Sequence, residues 1–260
     1  MILDKKTCVN DKAINQLAKK YNTLDYSFKL AYLLNSIYPG ENFEHHSKYA
    51  LHKLLNDTLT QNYNGEEILK YKLFECHLDK PKIVGAFEIK VNNSRVDFLA
   101  INGHTSSFEI KSELDNLSKL SKQMADYMLA FEYNYLVIDE SHIKKAKELL
   151  PESFGLWSYK KGKYKKCRKA LLNDRIDQEA QLKLLTKREL IDSFPEKRGI
   201  IKDILTSYDA LRINQQFKKT LKNRYRSRWE FLLSNHEQIF PIDLQFFFNT
   251  NIQPSNVYYH

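Results

Sequence analysis

Arg95-Val96-Asp97-Phe98-Leu99-Ala100-Ile101-Asn102-Gly103-His104-Thr105-Ser106-Ser107-Phe108-Glu109-Ile110-Lys111 is the stretch whose reading decides how this 260-residue chain folds. Val96, Phe98 and Ala100 alternate with Arg95, Asp97 and Leu99, the two-residue period of a strand. Asn102-Gly103-His104 reads as a turn, and Phe108 to Lys111 as the returning strand. Residues two apart in a strand share a face, so Glu109 and Lys111 point the same way. Whether Asp97 joins them depends on the turn. A two-residue Asn-Gly loop would pair Asp97 with Phe108 and send Glu109 to the other face. A three-residue loop over 102–104 pairs Asp97 with Glu109, with Gly103 supplying the left-handed residue. Phe108 and Ile110 then face the core beside Val96 and Phe98, a coherent arrangement, and this register is the one expected.

Outward from the hairpin, residues 83–91 are a run of β-formers after Pro81, closed by the turn Asn92-Asn93-Ser94. Downstream, residues 115–133 carry Leu117, Leu120, Met124, Tyr127, Met128 and Phe131 at helical spacing. Residues 135–138 and 155–159 read as short buried strands. The middle of the chain is therefore an α/β sandwich around a mixed sheet. Before it, residues 10–37, 48–59 and 66–77 read as helices, the last opening on Glu66 and Glu67, whose charges suit a helix N-terminus. After it, the pattern from 174 onward is helical again, and an aromatic tail over 239–259 is expected to pack back on the body. The division expected is a helical extension (1–60), an α/β core (61–172) and a helical basic C-terminal region (173–260).

The composition bounds the function classes. Lys and Arg number 41 against 32 Asp and Glu, a formal net charge of +9 that favours polyanionic partners such as nucleic acid. Three cysteines, Cys8, Cys76 and Cys167, lie far apart with no CxxC pair, against both a disulfide framework and a structural zinc site. The charged N-terminus lacks the apolar core of a signal peptide, and no run is apolar enough for a membrane helix. A cytoplasmic protein without a membrane partner is expected; homo-oligomerisation is left open.

Two carboxylates and an ammonium on one sheet face suggest a chemistry. Hard oxygen ligands from Asp97 and Glu109 suit Mg²⁺, with Mn²⁺ as the alternative ion, and the backbone carbonyl of Ile110 is a further candidate ligand. Such a metal neutralises phosphate charge and provides a nucleophilic water near neutral pH. Lys111 would orient that water or stabilise charge on the scissile phosphate. A third carboxylate is available from Glu66, Glu67 or Glu88, with Glu67 the first choice. Spacing alone is a weak signal, because D…ExK charges on two strands commonly form a solvated face. Gln123 and Tyr127, four apart on the following helix, add context; on their own they read as a surface amide and a half-buried core ring. His45-His46 lacks the accompanying ββα-metal pattern of an HNH nuclease and is expected on a helix surface.

The pattern D-x(11)-E-x-K, preceded by a helical Glu and followed by Q-x-x-x-Y, resembles the PD-(D/E)XK nuclease superfamily, its Gln/Tyr pair the RecB-like branch. Arg95-x-Asp97, Asn102-Gly103, Phe108-Glu109-Ile110-Lys111-Ser112-Glu113-Leu114-Asp115 and Gln123…Tyr127 are further similar to a little-studied bacterial and phage family, over about residues 66–228. The resemblance implies a restriction-endonuclease-like fold, metal ligation by Asp97 and Glu109, a catalytic Lys111, and supporting roles for Gln123, Tyr127 and a helical glutamate. Val96 stands where the superfamily often has Pro, and Glu113 where the nearer family usually has Asp.

Two basic runs complete the reading: Lys161, Lys163, Lys165, Lys166 and Arg168 in a Gly-centred hairpin, and Lys222, Arg224 and Arg226 among Tyr225 and Trp229. Phosphate contacts of this type give salt-sensitive affinity without sequence preference, and aromatics stack on unpaired bases. The expected activity is metal-dependent hydrolysis of phosphodiester bonds in DNA. The alternatives are an inactive nuclease-fold module that binds nucleic acid or a protein partner, and an RNA-targeting defence nuclease.

Overall fold

A computed structural model describes residues 10–160 and 162–260. Its contacts divide the chain into two units, one made of residues up to Tyr71 together with Phe231–His260, the other of Lys72–Glu230. The first boundary falls inside helix α4 (Glu66–Glu75) and the second inside helix α10 (Ala210–Asn235). The division thus differs from the sequential one. The helices over 173–230 belong with the sheet, and the aromatic tail belongs with the N-terminal helices. Sequence distance carries no information about which apolar face finds which partner.

The larger unit is built on a six-stranded mixed sheet. Its strands β1 (Val84–Val91), β2 (Ser94–Asn102), β3 (His104–Lys111), β4 (Tyr133–Asp139), β5 (Gly155–Lys160) and β6 (Lys163–Arg168) lie in sequence order across the sheet. β1, β2 and β3 pair antiparallel, β3–β4 and β4–β5 parallel, and β5–β6 antiparallel. Each parallel step needs a crossover, supplied by α5 (Leu120–Met128) and α6 (Ile143–Leu149). These helices cover one face, where Leu120, Met124 and Met128 cluster with Leu136, Ile138 and Leu156. The opposite face is aromatic. Phe98 lies 5.7 Å from Phe108, Tyr135 stacks on Phe108 at 4.9 Å, and Trp229 from α10 sits 6.0 Å from Phe98. A Cβ at Gly85 would come within 2.4 Å of the Trp229 ring, so that strand position admits glycine because another side chain presses on its backbone. Both faces being covered, β2 is buried continuously from Val96 to Ile101.

Two expected helices are shorter than their periodicity suggests. Residues 10–37 form α1 (Asp11–Lys20) and α2 (Ser27–Ile37), parted by a turn in which Asn22 accepts from the Leu24 N–H and Asp25 from the Asn22 N–H. The helix expected over 115–133 begins at Leu120, because Asp115 and Asn116 accept backbone N–H groups of Ser112 and Ser118. Short polar side chains of this kind offer the backbone an alternative to helix.

In the smaller unit, α1, α2 and α3 (Lys48–Asn62) bury Ile14, Leu17, Leu30, Leu34, Leu55 and Leu59 together. Beside this core Asp243 is fully buried and accepts from Thr23 Oγ1 (2.7 Å), Tyr258 OH (2.9 Å), Tyr21 OH (3.0 Å) and Asn56 Nδ2 (3.2 Å). Among the described residues no helix is long and apolar enough to cross a membrane. Cys76 and Cys167 are free thiols, and Cys8 lies outside the described residues.

His77, buried in the sheet's unit, donates from Nδ1 to the Leu73 carbonyl at 2.8 Å. Burial, assisted by Lys80 and Lys166 and opposed by the Leu73 bond, pulls its pKa down to about 4 from 6.5. The folded state therefore refuses a proton that the unfolded chain accepts below pH 6.5. This contribution to stability is complete above that value and is lost as pH falls toward 4, at up to about 1.4 kcal/mol per pH unit. Urea unfolding between pH 4.5 and 7, followed by tryptophan fluorescence, should show this slope in the wild type and a flatter one in His77→Gln.

Candidate active site

The β2–β3 hairpin pairs Phe98 with Phe108, Ile101 with Thr105 and Asn102 with His104, so Gly103, at φ +71°, alone makes the turn. This is the register expected for a three-residue loop, and continued by one step it sets Asp97 opposite Glu109. There the ladder gives way to side-chain chemistry. The Ile110 N–H donates to Asp97 Oδ2 at 2.6 Å, fixing the carboxylate against β3. Ile110 therefore meets the site through its N–H.

The other neighbour of β2 is irregular at the same level. β1 pairs Phe87 with Phe98 and Ile89 with Val96, skipping Glu88, whose φ is +57°. A positive φ in a side chain other than Gly, Asn or Asp is strained by the order of 1 kcal/mol or more and concentrates at functional sites. The twist leaves a Glu88 carboxylate oxygen within 4.8 Å of one from Asp97. Arg95 Nη1 lies 3.5 Å from the Glu88 carboxylate. Within this unit, Glu88, which sequence ranks behind Glu67, is the carboxylate brought to Asp97. In the other unit, Glu66 is half-buried and pairs with Lys70 at 2.6 Å, while Glu67 is exposed.

Glu109 is 1% exposed, so these charges are not a solvated sheet face. Lys111 Nζ donates to its Oε1 and Tyr127 OH to its Oε2, both at 2.5 Å. Burial works against the Lys111 ammonium, but Glu109, helped by Asp97 and Asp115, outweighs it and raises the pKa. Burial and the Glu109 charge push the Tyr127 phenol well above its ordinary range. Lys111 is accordingly a fixed cation at neutral pH and Tyr127 a neutral donor; neither is poised as a base.

Helix α5 places the remaining residues. Tyr127 OH also lies 2.6 Å from the Arg95 carbonyl, and Asp126 accepts from Ser94 Oγ at 2.5 Å, so the helix is pinned to the start of β2. Gln123 is one helical turn before Tyr127, and its Oε1 is buried without a hydrogen-bond partner. A buried acceptor in that state costs about 1–3 kcal/mol and calls for a partner. The Glu88 and Asp97 carboxylate oxygens, within 4.8 Å of each other, are hard donors of the kind a divalent cation takes.

The basic residues are placed elsewhere. β6 is the far edge of the sheet, four strands from β2, about 19 Å away at normal strand spacing. Lys163, Lys165 and Lys166 are exposed there, and Lys161 lies outside the described residues. Arg168 donates to the carbonyls of Phe154 and Pro151, both at 2.7 Å, holding the segment that leads into β5. In the second run Lys222 bonds the Lys82 carbonyl (2.9 Å), Arg224 pairs with Glu189 of α8 (Lys187–Ser193), and Arg226 is exposed. His45 and His46 occupy an exposed turn before α3 and not a helix, as Ser47 caps that helix.

Comparison with known proteins gives three findings. The family model described as bacteriophage P4 protein cII matches residues 58–247. No curated protein matches. Among solved structures, the SPO1766 protein of unknown function from Silicibacter pomeroyi is similar at 16% identity, over 65% of this chain and 90% of that one, with a TM-score of 0.37.

Proposed function

The chain belongs to the bacteriophage P4 protein cII family, and from its buried carboxylate site we propose that it is a divalent-metal-dependent nuclease of PD-(D/E)XK type, hydrolysing phosphodiester bonds in DNA. The observation that carries this is the meeting of Asp97 and Glu88 on one side and Glu109, Lys111 and Tyr127 on the other, with the Ile110 N–H bonding Asp97 between them. Asp97 and Glu109 would hold Mg²⁺ or Mn²⁺, with Glu88 and the Ile110 carbonyl as further oxygen donors. Bound there, the ion supplies phosphate charge neutralisation and a nucleophilic water near neutral pH. Lys111, fixed as a cation, binds a nonbridging phosphate oxygen and stabilises the charge that builds in the transition state. Tyr127 keeps Glu109 oriented, and Gln123 offers its buried oxygen to the water or to the substrate. Exposed Lys163, Lys165, Lys166 and Arg226 hold phosphates along the strand, while Arg168 and Arg224 serve mainly to brace the protein.

One observation favours a second reading. Both oxygens of Glu109 are engaged by Lys111 and Tyr127, which is also how a silent site would neutralise its glutamate. Purified protein should nick or degrade plasmid, linear or single-stranded DNA with Mg²⁺ or Mn²⁺, stop on EDTA, and lose activity in Lys111→Ala. RNA run in parallel tests the defence-nuclease alternative, and Glu66→Gln beside Glu67→Gln tests the helical carboxylates. Absence of metal-stimulated cleavage of every nucleic acid, together with absence of Mn²⁺ binding by calorimetry, would leave the binding-module reading standing.

A further inference from the structure

The sheet face turned away from Asp97 and Glu109 carries a cavity of about 520 Å³, within the range of small-ligand sites. Strand alternation puts it there: Ala100, Asn102, Ser106 and Phe108 line it, whereas Asp97 and Glu109 have the opposite parity. Its walls are the rings of Tyr133, Tyr135 and Trp157, and its rim carries Lys80, Lys166 and Lys169. Tyr133 and Tyr135 are half-buried, leaving ring surface for a planar ligand. Lys166 Nζ sits over the Trp157 ring at 4.8 Å, so an ammonium and a stacking face meet in one place.

The lysines have no ion-pair partner among the described residues. Burial, and after it the charge of Lys166, lowers the Lys80 pKa, so these two ammonium groups repel each other across the rim. The Glu132 carboxylate, which comes within 3.6 Å of His104, is buried and taken up by Lys218 (2.8 Å) and Asn214 (2.9 Å). A ligand that brings negative charge relieves the repulsion. Acidic peptide would use the lysines and leave the rings idle, and duplex DNA presents phosphates but no free base face. An unpaired nucleotide uses both, since base–aromatic stacking contributes about 1–3 kcal/mol per base and phosphate contacts add a salt-dependent share.

We propose that this cavity is a binding site for an unpaired nucleotide, its base stacked among Tyr133, Tyr135 and Trp157 and its phosphate met by Lys80, Lys166 and Lys169. The site is separate from the carboxylate centre and stands whether or not that centre cleaves DNA. It would hold a free nucleotide or a displaced strand by the same contacts.

Fluorescence anisotropy of labelled dT8, measured in EDTA so that nothing is cut, tests this. Lys80→Glu with Lys166→Glu should weaken binding at least tenfold, and Tyr135→Leu by a comparable factor. Lys144→Glu, exposed on α6 and outside the cavity, should change it less than twofold. Matched duplex and polyglutamate should bind at least tenfold more weakly than dT8. Displacement of the label by dTMP assigns the site to a single nucleotide; displacement by unlabelled dT8 alone assigns it to a strand. Equal losses from Lys144→Glu and Lys166→Glu, or polyglutamate matching dT8, would overturn the proposal in favour of diffuse charge. Circular dichroism of each variant shows that the fold is kept; should Tyr135→Leu fail there, the lysine pair decides alone.

Discussion

Asp97→Asn is expected to fold as the wild type does, to lose Mg²⁺ and Mn²⁺ binding, and to cut DNA about 10²–10³-fold more slowly, the usual cost of removing one preorganised electrostatic group. The substitution is nearly isosteric, and the asparagine carbonyl still accepts the Ile110 N–H that Asp97 accepts at 2.6 Å. What disappears is one anionic oxygen of the set that Asp97 forms with Glu88. Hard divalent ions depend on such anionic oxygens, so binding should fall even though the backbone is unmoved. Calorimetry with Mn²⁺, run beside circular dichroism and plasmid cleavage, separates the loss of metal from a loss of fold. Metal binding and cleavage both equal to wild type would remove Asp97 from the site and the nuclease reading with it.

The second large effect is structural. Asp243→Leu takes one acceptor from Tyr21, Thr23, Asn56 and Tyr258 at a fully buried position. Each stranded donor carries a desolvation penalty of about 1–3 kcal/mol, and partial rearrangement leaves a net loss on the order of 3–5 kcal/mol. A fall in Tm of about 10 °C is expected from thermal unfolding followed at 222 nm. Asp243→Asn should cost less, because it keeps one acceptor. The same variant removes a pH dependence. Burial raises the Asp243 pKa to about 6 despite the four donors. The folded state thus holds a proton between pH 4 and 6 that the unfolded chain has released, and this group's contribution to stability falls as pH rises through that window. A Tm unaffected by Asp243→Leu would mean that the network relaxes without cost.

Much of the site was legible because hairpins are local. Alternation in β2 and the ExK pair in β3 lie within seventeen residues, and a single glycine able to adopt φ +71° fixes the loop length and with it the facing of Asp97 and Glu109. The third carboxylate was legible only as a choice. Glu88 stood among three candidates, and nothing in its neighbours announces a strand residue at φ +57°. Charge counting also fails to separate free basic side chains from engaged ones. Arg168 and Arg224 look like their basic neighbours in sequence, yet the first holds carbonyls of the segment before β5 and the second a glutamate thirty-five residues away.

By itself, then, the sequence determined the periodic elements, the mixed α/β core, and the register that aims Asp97, Glu109 and Lys111 at one face. These follow from side-chain alternation and turn stereochemistry, which act over a few residues. Tertiary structure alone decided that this face is buried under Tyr127, that β1 twists at Glu88, that Trp229 closes the other face over Gly85, and that the tail joins the N-terminal helices. Those outcomes depend on which apolar surfaces meet, and burial energy is set by shape and area between distant segments, without a directional signal along the chain.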